Sequence, residues 1–480
     1  MCRVTPLYLA GSVSAVLLVA AACGPESAPA PTGPVTTAPL MSAAPGPGAY
    51  ILRGAVLTSG AAMKGGYVGI VDGRIVAVSA KRPDIPGASV IGTDGILVPG
   101  FVDLHNHVPW NVLPRWHPRR FYANRYEWRD DPEYRRAARQ PFDDLVDAHF
   151  CEMNAWGELR ALVGGTTSIM ATHGEHPCVH GLVRNLDYNS GFYGTTELDR
   201  EHIIDVIGIP QDPAGRAQFI AGARFYITNP AYGALAVHVA EGTDALSEEE
   251  FSFLQSQALL NPKGVLIHGI SLVPADFRAM ASAGTALVWS PQSNLQLYGT
   301  TADVGAALDA GVEVALAPDW AMTGSGNMLD ELKVATAWNQ GHLGGRLSPR
   351  QLVDMVTSVP AHVAGIDDEV GALQAGLRAD LIIVRGDAND PYGSVLRADA
   401  SDVQLVVIDG VPLYGDPTLM LKFWPVSELE PVTIARGTKV LATGAAGVSP
   451  SALASGLRPL LEAEGTSLSS LFEVAPPEPE

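Results

Sequence analysis

The sequence predicts an α/β protein: a (β/α)8 barrel of the TIM type, with a small β-sandwich domain formed by both chain ends. Three observations predict it. From Phe101 to about Gly365, short apolar runs alternate with helical patterns over about 265 residues, which suits a parallel barrel better than an open sheet. On either side of that stretch, short strands and hairpin turns return. Histidines and an aspartate stand at the ends of several apolar runs, where a barrel gathers its active site.

Taken in chain order, residues 1–22 read as a secretory signal, because the apolar run Leu7–Ala22 is too short for a span and ends in small residues. Small residues directly before Cys23 resemble a bacterial lipoprotein box, which implies an exported, cell-envelope protein anchored through lipid on Cys23. A plain signal peptide, giving a secreted or periplasmic protein, and an uncleaved anchor are the alternatives. Residues 23–48, rich in Pro, Ala, Ser, Thr and Gly, read as a tether. The β domain is drawn from 49–98 and 366–425. Asp72-Gly73 and Asp409-Gly410 each lie between β-rich runs and predict hairpins. The barrel takes 99–365, with strands expected at Phe101–Leu104, Thr166–Met170, Ile203–Ile207, Ala234–Val237, Val265–Ile267, Ala286–Val288 and Val312–Ala317. Helices are expected at Phe142–Leu162, Asn327–Trp338 and Ser348–Ala364. Residues 426–480 form a C-terminal extension with one strand, Val432–Leu441, and a helix opened by Ser449-Pro450.

Composition narrows the partners. The 480 residues carry 31 basic and 51 acidic side chains, a net charge of −20, and are 47% hydrophobic. Such a chain folds, and its charge repels phosphate backbones, so nucleic acid is not an expected partner. A small-molecule substrate is expected, a homo-oligomer is compatible, and membrane contact is expected only through the lipid anchor. Of the four cysteines, Cys151 and Cys178 remain after the signal and lipid site, either as a disulfide or as buried thiols.

His105 and His107 alternate at the end of the first barrel strand, so both imidazoles can face one metal. His238 follows an apolar strand, with Glu241 three residues on. His268 and Asp319 each close a later apolar run. With Val98-Pro99-Gly100-Phe101-Val102-Asp103-Leu104-His105-Asn106-His107, Ser290-Pro291-Gln292-Ser293-Asn294 and Gly371–Leu381, this ordered series resembles the amidohydrolase superfamily, from Tyr50 to about Pro417. Binuclear members commonly bridge two metals with a carboxylated lysine. None of the six lysines here lies between His107 and His238. The His238-x-x-Glu241 pair resembles instead the mononuclear branch of adenosine and cytosine deaminases. That resemblance implies one divalent ion held by His105, His107, His238 and Asp319. Zn2+ suits this donor set, with Fe2+ or Mn2+ as alternatives. It also implies Asp319 accepting a proton from the attacking water, Glu241 as general acid/base and His268 hydrogen-bonding the oxyanion or hydroxide. The expected reaction cleaves a non-peptide C–N bond, by deamination or by amide hydrolysis. A non-catalytic envelope protein that binds a solute or metal on the same fold is the alternative, as is a nuclease, which the charge opposes.

Two further features stay open. His173, Glu175, His176 and His180 form either a second metal site or a polar loop surface. Val108–Gln140 holds eight arginines and seven aromatics. It reads as a lid over the barrel mouth that favours an aromatic or acidic substrate, or as a surface where arginines pair with the surplus acids. On the lid reading, replacing Arg119 and Arg120 raises KM.

Overall fold

Four strands open the described chain: β1 (Ala49–Val56), β2 (Met63–Val71), β3 (Arg74–Ser79) and β4 (Ser89–Pro99). The barrel region supplies β5 (Phe101–Asp103), β6 (Thr166–Ile169), β7 (Arg184–Asn185), β8 (Glu201–Val206), β9 (Tyr232–Val239), β10 (Gly264–His268), β11 (Ala286–Trp289) and β12 (Val314–Leu316). Five more follow: β13 (Leu381–Val384), β14 (Val403–Ile408), β15 (Val411–Gly415), β16 (Leu429–Ile434) and β17 (Gly437–Ala442). This computed structural model describes residues 48–170, 182–187 and 201–472, apart from positions 59, 61, 207 and 231. The signal, Cys23 and nearly all of the tether, Cys178 and the His173–His180 cluster lie outside the described residues.

Both ends of the chain share one nine-stranded sheet, ordered β16-β17-β15-β14-β13-β4-β1-β2-β3. The sequence reading expected a two-sheet sandwich, and strand pairing instead runs as a single ladder. Strand β4 is the reason. It pairs parallel with β1 from Ser89 to Leu97 and antiparallel with β13 from Ile96 to Pro99, stitching the ends together. A register shift between Arg53 and Ala55 accompanies the Gly92–Gly95 stretch, which stays within the strand. The Asp-Gly hairpins hold, with positive φ at Asp72 (47°), Gly73 (80°), Asp409 (50°) and Gly410 (72°). Their tips touch: a Cβ on Gly73 would lie 2.8 Å from the Asp409 carbonyl oxygen. The C-terminal stretch joins the same sheet as the hairpin β16–β17, where one strand was expected.

The barrel strands run parallel in two sets, β5-β6-β7 and β8-β9-β10-β11-β12. All seven expected strands are present. Strand β7 has only two residues, both polar, and gave no apolar run to read. First and last strands meet just past their ends, where Asp319 N donates to His105 O (3.0 Å) and His107 N to Asp319 O (2.9 Å). Along β9 the period of two sends Ala234 and Ala236 into the same buried cluster as Val102, Ile267 and Val288, and puts His238 on that face.

A buried ionic network ties sheet to barrel. Arg184 pairs with Asp380 and with Asp409 (2.9 Å), and Arg378 pairs with Asp409 (2.9 Å) and Glu369 (2.8 Å). Removing one partner from such a network leaves a buried charge alone, which is costly. Cys151, on the helix Gln140–Val163, is disulfide-bonded. No helix among the described residues is long and apolar enough to cross a membrane.

Candidate metal centre and active site

Five predicted residues converge at the strand ends. His105 Nε2 lies 3.1 Å from His238 Nε2 and 3.2 Å from Asp319 Oδ1, and His107 Nε2 lies 3.3 Å from the same carboxylate oxygen. His268 joins through His105 and Asp319, all ligand atoms of that trio lying within 4.8 Å of one another. Three imidazole nitrogens and a carboxylate oxygen aimed at one buried point form the donor set of a divalent cation. No single proton could satisfy them all. The residues present therefore fit a divalent metal, and His268 is placed to serve beside the four expected ligands.

The backbone is bent to bring them together. Ala240, His268 and Asp319 have φ of 56°, 74° and 69°, a left-handed conformation that is uncommon for residues other than glycine. Surrounding bonds hold it in place, as strained functional sites require. Ala240 N donates to Glu250 (2.9 Å), and the Ala240 carbonyl accepts from Ile270 N (2.9 Å).

Electrostatics fixes the protonation states. Burial and the neighbouring imidazoles hold His238 well below the ordinary histidine range, leaving a neutral donor. Burial also lowers His268, although the Glu241 carboxylate opposes it. For Asp319, burial pushes upward, but the imidazoles of His105 and His107 outweigh it and keep the group well below the usual carboxylate range. Asp103 is different: burial pushes it to about 7, against hydrogen bonds from Asn106 and His105 N.

Polar residues orient three of the five. Ser290 Oγ sits 2.8 Å from His105 Nδ1, Asn294 Oδ1 2.9 Å from His268 Nδ1, and Ser293 Oγ donates to Asp319 Oδ2 at 2.5 Å. All three come from the Ser290–Asn294 motif, to which the sequence gave resemblance but no role. Sequence reasoning also missed Tyr298, whose hydroxyl donates to Glu241 Oε1 at 2.6 Å, one helical turn further on. Glu241 Oε2 faces His268 Nε2 at 3.6 Å and Arg125 Nη1 at 3.9 Å.

Above this cluster opens a cavity of about 710 Å3. His107, His238, Glu241, His268 and Asp319 reach it, Trp110, Trp128, Tyr134 and Trp320 wall it, and Arg129, Arg135 and Arg139 contribute basic groups. The segment Val108–Gln140 thus covers the mouth. Most of its arginines are spoken for by acids: Arg119 by Glu133, Arg120 by Glu127, Arg125 by Glu250, Arg135 by Asp130 and Arg139 by Asp143. Among the described residues no acid pairs with Arg129, which lies over the Trp128 ring, 5.4 Å from its centroid. Arg119 and Arg120 do not line the cavity, so the expectation that they bind substrate is not met. Of the segment after Asp319, Trp320 walls the cavity, while Ser325 donates to buried Glu331 and Asn327 caps the next helix.

Comparison with known proteins agrees with this geometry. The amidohydrolase family model matches residues 233–413, which hold His238, Glu241, His268 and Asp319. The chain belongs to the amidohydrolase superfamily. With deaminases as its relatives, it is a hydrolase acting on carbon–nitrogen bonds other than peptide bonds. It is 26% identical over 396 residues to a 5-methylthioadenosine/S-adenosylhomocysteine deaminase of Desulforudis audaxviator, covering 72% of this chain and 88% of the relative. A protein of the same name from Syntrophomonas wolfei is 27% identical with the same coverage. Among solved amidohydrolase-like folds, an adenosine deaminase from Xanthomonas campestris with bound zinc superposes with a TM-score of 0.61. It is 17% identical and covers 88% of this chain and 100% of that one. The guanine deaminase of E. coli gives 0.61 at 18% identity, covering 76% and 99%.

Proposed function

We propose that the protein is a metal-dependent deaminase of an aromatic heterocyclic amine, working outside the cytoplasm. The observation that carries this reading is the Glu241 carboxyl standing beside the histidine–aspartate cluster on the floor of an aromatic-walled cavity. Planar rings stack on such walls. Deaminases among the relatives support the same choice over amide hydrolysis.

His105, His107, His238 and Asp319 would hold the metal, zinc in this reading, which supplies a Lewis acid and lowers the pKa of water toward 7. Asp319 accepts the proton of the attacking water at its carboxylate, which stands ionised between His105 and His107. His268, fixed by Asn294, aligns that water through Nε2. Glu241 delivers a proton to the ring nitrogen next to the reacting carbon, so that carbon takes the water oxygen without building charge on the ring. Asp319 passes the proton it took from water to the amino group, which leaves as ammonia, and the hydroxyl proton of the adduct returns to Glu241 as the carbonyl product forms. One water is consumed for each C–N bond broken.

Arg129 favours substrates that carry an acidic substituent, since it is the cavity arginine without an acid partner among the described residues. In the same reading the eight parallel strands close into a full barrel around the site. Export rests on the Leu7–Ala22 run before Cys23 and is supported by the disulfide at Cys151, a bond favoured outside the reducing cytoplasm.

The test is metal content and ammonia release. The purified protein should carry about one equivalent of metal and release ammonia from members of a panel of heteroaromatic amines. Asp319→Asn and His238→Ala should lose the metal and the activity together. Full metal content in both variants would overturn the ligand assignment, and turnover of amides alone would replace deamination by amide hydrolysis.

A further inference from the structure

Glu241 is gripped from the lid. The helix Arg125–Arg129 begins at Asn124, whose side chain accepts from Tyr126 N and Glu127 N and whose amide donates to Asp244. The residues around it run beside the Glu241 loop and hold it at several points. Thr243 N donates to Ala123 O (2.7 Å), Arg125 N to Glu241 O (3.2 Å) and Arg125 Nη1 to His238 O (3.1 Å). Arg125 also pairs with Glu250 at 2.5 Å, and Glu250 in turn accepts from Ala240 N. From the same helix, Trp128 Nε1 donates to the Tyr298 hydroxyl at 2.8 Å, and that hydroxyl donates to Glu241 Oε1 at 2.6 Å. Trp128, Tyr298, Arg125 and Glu241 are all buried.

A hydroxyl has one proton to give. With Trp128 occupying its acceptor side, Tyr298 is left to point that proton at Glu241, so the direction of the second bond depends on the first. Resting on the deaminase reading above, we infer that Trp128 and Tyr298 are positioning residues for Glu241. They act in series, and the lid helix sets the aim of the proton-delivering carboxyl as well as covering the cavity. Neither residue exchanges a proton with substrate. Tyr298 holds one carboxyl oxygen, leaving Oε2 to face the cavity beside His268.

Steady-state ammonia release by wild type, Trp128→Phe, Tyr298→Phe and the double variant tests this, with metal content measured on each. Loss of the hydrogen bond that aims the reacting carboxyl is expected to lower kcat about tenfold in Tyr298→Phe, at nearly unchanged KM and full metal content. Trp128→Phe should lose less. The double variant should be no slower than Tyr298→Phe, because two bonds in series cannot be lost twice. Losses that multiply, or an unchanged kcat in Tyr298→Phe, would overturn the inference. If Trp128→Phe does not fold, Tyr298→Phe decides alone by the same criterion. Wild-type turnover reports separately on the deaminase reading, since its absence would fail that reading before any variant is compared.

Discussion

Asn294 Oδ1 lies 2.9 Å from Nδ1 of His268, and the amide nitrogen of Asn294 is used on Thr301 at 3.0 Å. The asparagine therefore presents its oxygen, His268 carries its proton on Nδ1, and Nε2 is the face turned to Glu241 and Asp319. Outer hydrogen bonds of this kind are worth about 10–100-fold in activity or metal affinity. Asn294→Ala should lower kcat by that order, and Asn294→Asp should restore part of it because an oxygen remains opposite Nδ1. Steady-state kinetics on the three proteins checks this, and an Asn294→Ala enzyme with full activity would refute it.

The buried carboxyl of Glu158 sets a pH dependence of stability. It accepts from Leu182 N (2.6 Å), Val183 N (3.4 Å) and Asn154 Nδ2 (2.7 Å), yet burial outweighs these bonds and pushes it to about 7 from an ordinary 4.5. Between those values the folded protein holds a proton that the unfolded chain has released, so this group makes stability fall as pH rises through the window. Glu158→Gln does not titrate, and Asn154 Oδ1, which has no hydrogen-bond partner among the described residues, can turn to meet the new amide. The variant should gain on wild type by on the order of 3 kcal/mol between pH 4.5 and pH 7. Urea midpoints across that range measure it, and parallel pH profiles for the two proteins would count against it.

Gly157 presents a case where helix propensity predicts the wrong sign. It sits inside the helix Gln140–Val163, where alanine ordinarily stabilises by about 1 kcal/mol. Here a Cβ would lie 2.0 Å from the Val108 carbonyl oxygen, at the start of the lid. Backbone cannot give way as a side-chain tip can. Gly157→Ala should therefore destabilise by about 1–3 kcal/mol. It should also lower kcat/KM, because Asn111, three residues after Val108, hydrogen-bonds both Asn106 (2.8 Å) and Ala321 N (2.8 Å) beside the cluster. A raised Tm would disprove the close approach.

The clustered residues were legible because they stand at the ends of apolar runs, and chain order alone lined up His105, His107, His238, His268 and Asp319. The residues that orient them were not. Ser290, Ser293, Asn294 and Tyr298 act through distances that only the fold supplies, and on a helix of eight residues they read as an ordinary polar turn. The sheet was half legible: Asp-Gly turns announce hairpins, whereas the single ladder depends on β4 pairing with strands from both ends of the chain. The C-terminal segment showed no chemistry in sequence. Its helix Pro450–Ala463 nevertheless buries Leu457 and Leu461 among the lid aromatics, and Ser469 donates to the Asn111 carbonyl at 2.5 Å.

The lid arginines divide into two classes that kinetics can separate. Arg119 and Arg120 face outward and pair with Glu133 and Glu127, and exposed pairs of that kind contribute little, about 0–1 kcal/mol. Arg129 lines the cavity with no acid partner among the described residues. Arg119→Gln and Arg120→Gln should leave KM within about twofold of wild type, since neither side chain reaches substrate. Arg129→Gln should raise KM about tenfold for substrates with an acidic substituent, the value of one charge-assisted hydrogen bond, and leave neutral substrates unaffected. KM values on matched acidic and neutral heteroaromatic amines distinguish the classes. An equal change on both substrates would assign Arg129 to the lid's packing rather than to recognition.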